Sequence, residues 1–290
     1  MKLLIKRSKK AILPEIGIYK KFFETYGVDV CISENINESD QYDVLWLFMG
    51  MQLIKKNDKF TIHEYASLST GIFAKYKDII KRLVCCKPNL RVFLNTDVYD
   101  KMSFKDNIPY VIRDMAVSPD FYKRDQEKKY DFVYSGAIND DRRLDLILDK
   151  FAIREDKSII VIGTAPKWYH EKYSQYNNIT FTGLVDYKKI PYYLNQAKVG
   201  INVIDNIYPY NIQTSTKILE YLACGLSIYT IQTNWVDSFS KKNNVTFNYF
   251  EINRFDVDAD FVMNENYTPL YWDDMLESCG ILQAMNVKEM

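Results

Sequence analysis

Thr214-Ser215-Thr216-Lys217-Ile218-Leu219-Glu220-Tyr221-Leu222-Ala223-Cys224-Gly225 is the stretch that decides how this chain is read. Three hydroxyl residues open an apolar-periodic run and a glycine closes it, which predicts one helix. Ser and Thr suit the start because their oxygens accept the unpaired first N–H groups. Gly225 suits the end, where a left-handed residue is cheapest without a Cβ. Ile218, Leu219, Leu222 and Ala223 form an apolar stripe, and Lys217, Glu220 and Tyr221 are expected as surface neighbours opposite it. The N-terminus of such a helix attracts anions. Phosphate at the helix start and ribose hydroxyls on the carboxylate would let this constellation hold a nucleotide.

Outward from this helix, strands alternate with helices along nearly the whole chain, which predicts parallel sheets with crossover helices. The first half predicts strands at 2–5, 29–32, 44–48, 60–63, 92–94 and 110–112, with helices at 14–26 and 71–84. The second half predicts strands at 131–134, 159–162, 179–182, 199–203, 227–231 and 245–250, with helices at 141–152, 167–176, 190–196 and 215–223. Gly136, Gly163 and Gly183 each follow an apolar run directly, in Phe-Val-Tyr-Ser-Gly, Ile-Ile-Val-Ile-Gly and Ile-Thr-Phe-Thr-Gly. Glycines at the carboxyl ends of parallel strands let a ligand approach the backbone, and open α/β sheets bind ligands at that edge. The polar run Lys123-Arg124-Asp125-Gln126-Glu127-Lys128-Lys129 separates the halves and reads as a linker.

The pattern Ser-x-Lys-x-x-Glu-Tyr-Leu-Ala-x-Gly followed by an apolar strand resembles the donor-binding helix of GT-B glycosyltransferases that use nucleotide sugars. The resemblance implies an α/β fold of two doubly wound Rossmann-like domains facing across a cleft. It implies an acceptor domain over 1–125, a donor domain over 126–250, and a tail over 251–290 whose last helix packs back on the first domain. In that family the glutamate, here Glu220, binds the donor ribose, and the helix start, here Ser215 and Thr216, binds the diphosphate. Gly136 resembles the glycine loop of the donor domain, and Arg142 or Arg143 is placed to neutralise the leaving diphosphate. Thr164 resembles the loop beside the base, and Leu184 and Val185 the segment whose backbone reads the base edge. Lys217 either binds diphosphate or pairs with Glu220. Many retaining members carry a second glutamate eight residues before the first; here that position is Ile212, between Asn211 and Gln213, so the stereochemistry stays open.

Composition bounds these readings. At 290 residues and 47% apolar content the chain buries a core and is not disordered. No run reaches the roughly 18 apolar residues of a membrane span. Met1–Lys10 reads as a strand and a basic loop rather than a signal peptide, and five cysteines without metal-ligand spacing read as reduced and cytosolic. Net charge is zero but uneven: residues 1–124 hold 21 Lys/Arg and 15 Asp/Glu, a surplus of six that the remainder reverses. The basic half suggests an anionic partner such as the inner membrane surface, or plain solvated lysines. Tyr187-Lys188-Lys189 superficially fits single-stranded nucleic acid, but the acidity of its half opposes a phosphate backbone, and no nucleic-acid partner is expected.

A catalytic base is expected in the first half. Phe60-Thr61-Ile62-His63-Glu64-Tyr65 reads as a strand entering a polar loop. His63 suits deprotonation of a sugar hydroxyl near neutral pH, or caps a strand structurally. Glu64 and Asp114 are the alternatives. No cofactor or metal is expected: Asp256-Val257-Asp258 matches an Asp-x-Asp metal motif in letters only and lies in the acidic tail. The resulting expectation is a glycosyltransferase moving a sugar from a nucleotide diphosphate-sugar to a glycan or lipid-linked acceptor, in bacterial surface polysaccharide assembly. The rivals are a nucleotide-sugar epimerase of the same fold and a degenerate nucleotide-binding scaffold.

Overall fold

The computed structural model describes residues 1–7, 13, 15–34, 41–48, 59–138 and 142–287. The chain divides into two compact units. Unit 1 is Met1–Ala116, Ile212–Thr214 and Leu270–Met290; unit 2 is Val117–Asn211 and Ser215–Pro269.

Unit 1 is built on a six-stranded sheet: β1 (Lys2–Lys6), β2 (Asp29–Ser33), β3 (Val44–Phe48), β4 (Phe60–Tyr65), β5 (Leu90–Phe93) and β6 (Tyr110–Ile112). Their order is β2-β1-β3-β4-β5-β6, and every pairing is parallel. Parallel strands are covered on both faces, so they read as continuous apolar runs, as Val-Leu-Trp-Leu-Phe does in β3. Helix α1 (Glu15–Thr25) sends Ile16, Tyr19, Phe22 and Phe23 into this core. Pro14, the expected first residue of that helix, lies outside the described residues. Helix α2 (Ala74–Val84) starts later than its sequence suggests because Phe73 sits in a left-handed conformation before it. Helix α3 (Thr96–Met102) was not expected; the Asn95 side chain caps it, accepting from the Val98 N–H at 2.9 Å.

The chain's last helices, α9 (Trp272–Ser278) and α10 (Ile281–Ala284), belong to unit 1. Trp272, Leu276, Ile281 and Leu282 join its core, and the Trp272 ring meets Tyr19 edge-on at 6.0 Å. Each large apolar side chain fully buried in this way contributes about 1.5–3 kcal/mol.

Unit 2 repeats the architecture with β7 (Tyr130–Ser135), β8 (Ile159–Ile162), β9 (Ile179–Gly183), β10 (Ala197–Asn202), β11 (Ser227–Thr230) and β12 (Asn248–Tyr249). Its helices are α4 (Leu144–Ala152), α5 (Lys167–Tyr173), α6 (Ile190–Leu194), α7 (Thr216–Ala223) and α8 (Asn234–Asn243). The sheet order is β12-β11-β10-β7-β8-β9, all parallel. Renumbered from β7, this is the 3-2-1-4-5-6 order of dinucleotide-binding folds, and the direction of winding reverses between β7 and β10. A ligand is therefore expected beyond the carboxyl ends of those two strands.

Two boundaries differ from the sequence reading. The stretch 123–129 is fastened to unit 2 instead of bridging freely. Arg124 N–H donates to the Asn195 side chain at 2.7 Å, and Lys128 Nζ donates to the Asn195 carbonyl at 2.9 Å. The acidic tail divides: residues 251–269 stay in unit 2, where Phe255 and Val257 are buried with Phe132 and Phe151, and unit 1 resumes at Leu270. Asp256 and Asp258 flank that buried Val257. Asp258 is bound by Arg154, with Lys157 at 3.3 Å, in a surface ion cluster, and Asp256 Oδ1 accepts from the Asp258 N–H at 2.9 Å.

Candidate functional site

At the carboxyl edge of the unit 2 sheet three glycine turns lie side by side. The Gly136 N–H donates to the Ile162 carbonyl at 2.8 Å, Ile138 N–H to Thr164 O at 3.1 Å, and Gly163 N–H to Gly183 O at 3.0 Å. Glycine is required at the first two. Gly136 and Gly163 have φ of 135° and 136°, and a Cβ on Gly163 would lie 2.3 Å from the Gly136 carbonyl oxygen. A Cβ on Gly136 would lie 2.7 Å from both Cε and Nζ of Lys217. The lysine therefore rests directly on the glycine turn that ends β7.

Lys217 is delivered by α7, the helix predicted from the opening stretch. Its carboxyl end closes as a Schellman motif: Leu226 N–H bonds Tyr221 O at 3.0 Å and Gly225 N–H bonds Leu222 O at 2.9 Å, with Gly225 at φ 75°. Its amino end departs from expectation. Ser215 is the N-cap residue but makes no side-chain cap; its hydroxyl donates to Asn202 Oδ1 at 3.1 Å, and Asn202 Nδ2 donates to Thr230 Oγ1 at 2.9 Å. Ser215 is thus anchored to β10, and the start of α7, with half-buried Thr216 at its first position, is left without a side-chain oxygen cap from Ser215.

The polar face of α7 is not a surface face. Tyr221 is fully buried: its hydroxyl accepts from Ser135 N–H at 2.8 Å, and its ring fills the space left by Gly200, where a Cβ would lie 2.3 Å from the ring. Glu220 is 8% exposed and accepts from the Tyr187 hydroxyl at 2.8 Å. Lys217 Nζ donates to the Tyr134 hydroxyl at 3.3 Å and lies 4.5 Å from that ring's centroid. Lys217 and Glu220 thus have separate tyrosine partners, and among the described residues they form no ion pair with each other.

The electrostatics follow from this burial. Loss of solvent, and then the nearby Arg142 guanidinium, bring the Lys217 ammonium down to about 7. Burial pushes the Glu220 carboxyl up to about 7, against the opposing pull of Tyr187 and Lys217. Arg142 donates to the Val203 carbonyl at 2.6 Å, at the end of β10, whereas Arg143 turns away at φ 49° and reaches Asn253 Oδ1 at 2.9 Å. Arg142 is therefore the arginine that shares the site with Lys217. Asp140 and Asp141, which directly precede these arginines in the sequence, lie outside the described residues. Thr164 is exposed beside the Gly163 turn; Leu184 is 82% exposed and Val185 half-buried after β9. Two cations at a glycine-lined sheet edge beside an uncapped helix start, with a carboxylate one turn further along the helix, have the chemistry to hold an anion such as a diphosphate.

The three base candidates in unit 1 separate sharply. His63 and Glu64 are not in a loop: β4 continues to Tyr65, and both residues lie inside the sheet, fully buried. His63 is in register with Leu47 and Arg91 on the neighbouring strands. Glu64 is the hub of a core network, accepting from Tyr19 Oη at 3.1 Å, Trp46 Nε1 at 2.8 Å and the buried Arg113 guanidinium, which also has Glu15 at 3.9 Å. A carboxylate saturated in this way is a polar hub of the unit 1 core. Asp114, half-buried after β6, keeps an accessible setting, with Oδ1 accepting from Thr214 Oγ1 at 2.6 Å and from Met115 N–H at 2.8 Å. Ile212, at the place of the second family glutamate, is buried, and its carbonyl accepts from the Asn95 amide at 3.2 Å.

Tyr134 and Tyr187 are the site residues that sequence reasoning passed over. In the sequence Tyr187 stands only in the Tyr-Lys-Lys run weighed for nucleic acid, yet it packs on Phe121 at 5.1 Å and orients Glu220.

Sheet order and edge together define a Rossmann-like unit, paired in sequence with a second parallel α/β unit. Residues 129–243, nearly all of the unit 2 sheet, match the sequence model of the family glycosyl transferases group 1. The chain as a whole has the two-unit GT-B fold, and the part that matches this glycosyltransferase family model lies almost entirely within unit 2. Among solved structures it is similar to AviGT4, a glycosyltransferase involved in avilamycin A biosynthesis, at 12% identity over 99% of this chain and 97% of that one (TM-score 0.63). It is likewise similar to sucrose-phosphate synthase from Thermosynechococcus elongatus, at 10% identity over 99% and 91% (TM-score 0.64). HepE of Anabaena, solved with UDP and glucose, matches at 10% identity over 87% of each chain (TM-score 0.58). No curated protein matches the chain by sequence.

Proposed function

We propose that the chain transfers a sugar from a nucleotide diphosphate-sugar to a glycan or lipid-linked acceptor, in bacterial surface polysaccharide assembly. The observation that carries the donor part is Lys217 lying on the Gly136 turn with Arg142 beside it, at the switch point of a 3-2-1-4-5-6 sheet. The acceptor and its setting rest on the family resemblance.

In the reaction the bond between the anomeric carbon and the diphosphate oxygen breaks as an acceptor hydroxyl attacks that carbon. Negative charge develops on the leaving diphosphate. Lys217, Arg142 and the start of α7 are fixed in place before it forms, the arrangement that stabilises such charge most effectively. Because these groups supply the positive charge, the proposed reaction is metal-independent. Glu220, held by Tyr187, accepts from the ribose hydroxyls. Gly163, Thr164, Leu184 and Val185 border the base through their backbone. Asp114 is the proposed base for the acceptor hydroxyl, His63 and Glu64 being committed to the core.

Incubating the protein with candidate nucleotide sugars, with and without glycan and lipid-linked acceptors, tests this reading. Acceptor-dependent release of nucleoside diphosphate is expected. Conversion of the donor's sugar without acceptor would instead identify an epimerase, and no stabilisation by any nucleotide would identify a scaffold.

A further inference from the structure

Helix α2 of unit 1 presents an unusual outward face. Its two most buried residues, Ala74 and Asp78, mark the side turned to the unit. Directly opposite, Tyr76, Ile79, Ile80, Leu83 and Val84 fall within one arc of the helical wheel, and all are exposed, Tyr76 at 66% and Leu83 at 73%. The turn before the helix adds Ile72 at 79% and Phe73 at 69%, with the Phe73 and Tyr76 rings 6.1 Å apart. Scattered exposed apolar residues are ordinary, but a contiguous group on one element marks an interaction surface.

The charges around this face identify what it meets. Exposed Lys75 lies at one edge of the apolar arc and exposed Lys77 at the other. Behind them Arg82 donates to the Met102 and Ser103 carbonyls, and Lys81 lies 3.8 Å from the helix's only carboxylate, Asp78, which is buried and held by the Ser69 N–H at 3.1 Å. An apolar stripe bordered by cations on both sides is the pattern of a helix lying in a lipid interface, with apolar side chains among the acyl chains and cations at the headgroups. Beside it a groove of about 470 Å³ is lined by Ser67, Ser69, Thr70, Lys77 and Lys81, donors suited to a phosphate headgroup. The basic surplus of residues 1–124 has the same sign. No helix among the described residues is long and apolar enough to cross a membrane, so contact of this kind would be peripheral.

We propose that the outward face of α2, with Ile72 and Phe73, docks unit 1 onto an anionic membrane surface. Apolar insertion alone is weak for so short a helix; the flanking cations add about fivefold each near an anionic surface. The loop leading to α2 leaves the carboxyl end of β4, the same sheet edge from which Asp114 follows β6. Docking through α2 would present that edge to acceptors carried by the membrane.

Co-sedimentation of the full chain with vesicles, in the absence of any donor, tests this independently of sugar transfer. Vesicles of phosphatidylglycerol and phosphatidylcholine in equal parts should bind the protein, and pure phosphatidylcholine should bind it far less. Raising the salt should weaken binding, since the charges are exposed. Lys75→Gln with Lys77→Gln should weaken it about fivefold per cation. Tyr76→Ser with Leu83→Ser should weaken it by about tenfold or more. Neither variant should move the urea midpoint or nucleotide affinity, because these side chains are exposed and lie outside unit 2. Equal binding to both vesicle types, or binding that survives both variants, would overturn the proposal. So would a wild-type dimer that Tyr76→Ser with Leu83→Ser turns into monomer in sedimentation velocity, which would assign the face to a second copy of the chain.

Discussion

Donor binding should take up a proton on Lys217. In the empty site burial and Arg142 hold its ammonium at about 7, far below the ordinary lysine value. Below about pH 7 the folded protein therefore carries a disfavoured buried charge, and that cost fades as pH rises toward the ordinary lysine value of about 10.4. A bound diphosphate reverses the balance: it favours the charged lysine and moves its titration back up. Between the free and bound values each pH unit weakens binding by up to about tenfold. From about pH 7 to about pH 9 the charged fraction of the free site falls from a half to about one part in a hundred, so affinity should fall about fiftyfold. Glu220 sets the opposite limb. Its carboxyl, raised to about 7, becomes neutral on acidification and accepts less strongly from the ribose, so affinity should peak near neutrality. Titration calorimetry with a nucleotide sugar reads this cleanly, because its phosphates are both esterified and keep constant charge. Repeating the titration in buffers of different ionisation enthalpy should show uptake approaching one proton on the alkaline side. Lys217→Met should abolish both the alkaline fall and the uptake. Constant affinity across that range, with no proton exchange, would refute the reasoning that places Lys217 on the diphosphate.

Further outcomes follow from the same contacts. Glu220→Gln removes a charged acceptor and should weaken nucleotide binding by about tenfold to a hundredfold. The same change should raise the melting temperature of the empty protein above about pH 7, where the buried carboxylate is ionised, and leave it unchanged at acid pH, where wild type is neutral too. Glu64→Gln leaves the buried Arg113 charge with Glu15 alone, at 3.9 Å, and should cost up to about 3–5 kcal/mol in urea unfolding, while nucleotide affinity of the folded protein stays at the wild-type level. Gly163→Ala forces a Cβ to within 2.3 Å of the Gly136 oxygen at φ 136°, which should cost at least about 1–3 kcal/mol and lower donor affinity by shifting the turn under Lys217.

The architecture was legible because parallel strands are buried on both faces and announce themselves as uninterrupted apolar runs, as Ile-Ile-Val-Ile does in β8. Helix α7 was legible too, its residues combining start, stop and chemistry within one short stretch. What escaped depended on contacts distant in sequence. Tyr221 looks like part of a polar face until Gly200, 21 residues earlier on β10, is seen to open space for its ring. The choice between Arg142 and Arg143 turns on one left-handed backbone position, which residue type does not reveal. Glu64 resembled a loop-edge base because its partners Tyr19, Trp46 and Arg113 come from three separate elements, and only their convergence shows a core hub. Asn95 is the exception: an N-cap signal with Asp97 in the first turn was present in the sequence before α3 and was not used.

Calorimetric titration of the wild-type protein and of Arg142→Met with a panel of nucleoside diphosphates tests the donor site most directly. Saturable binding of at least one diphosphate by the wild type, weakened by about tenfold or more in the variant through loss of a charged phosphate contact, is the predicted result. Absence of binding by every diphosphate, or binding that Arg142→Met leaves unchanged, would contradict it.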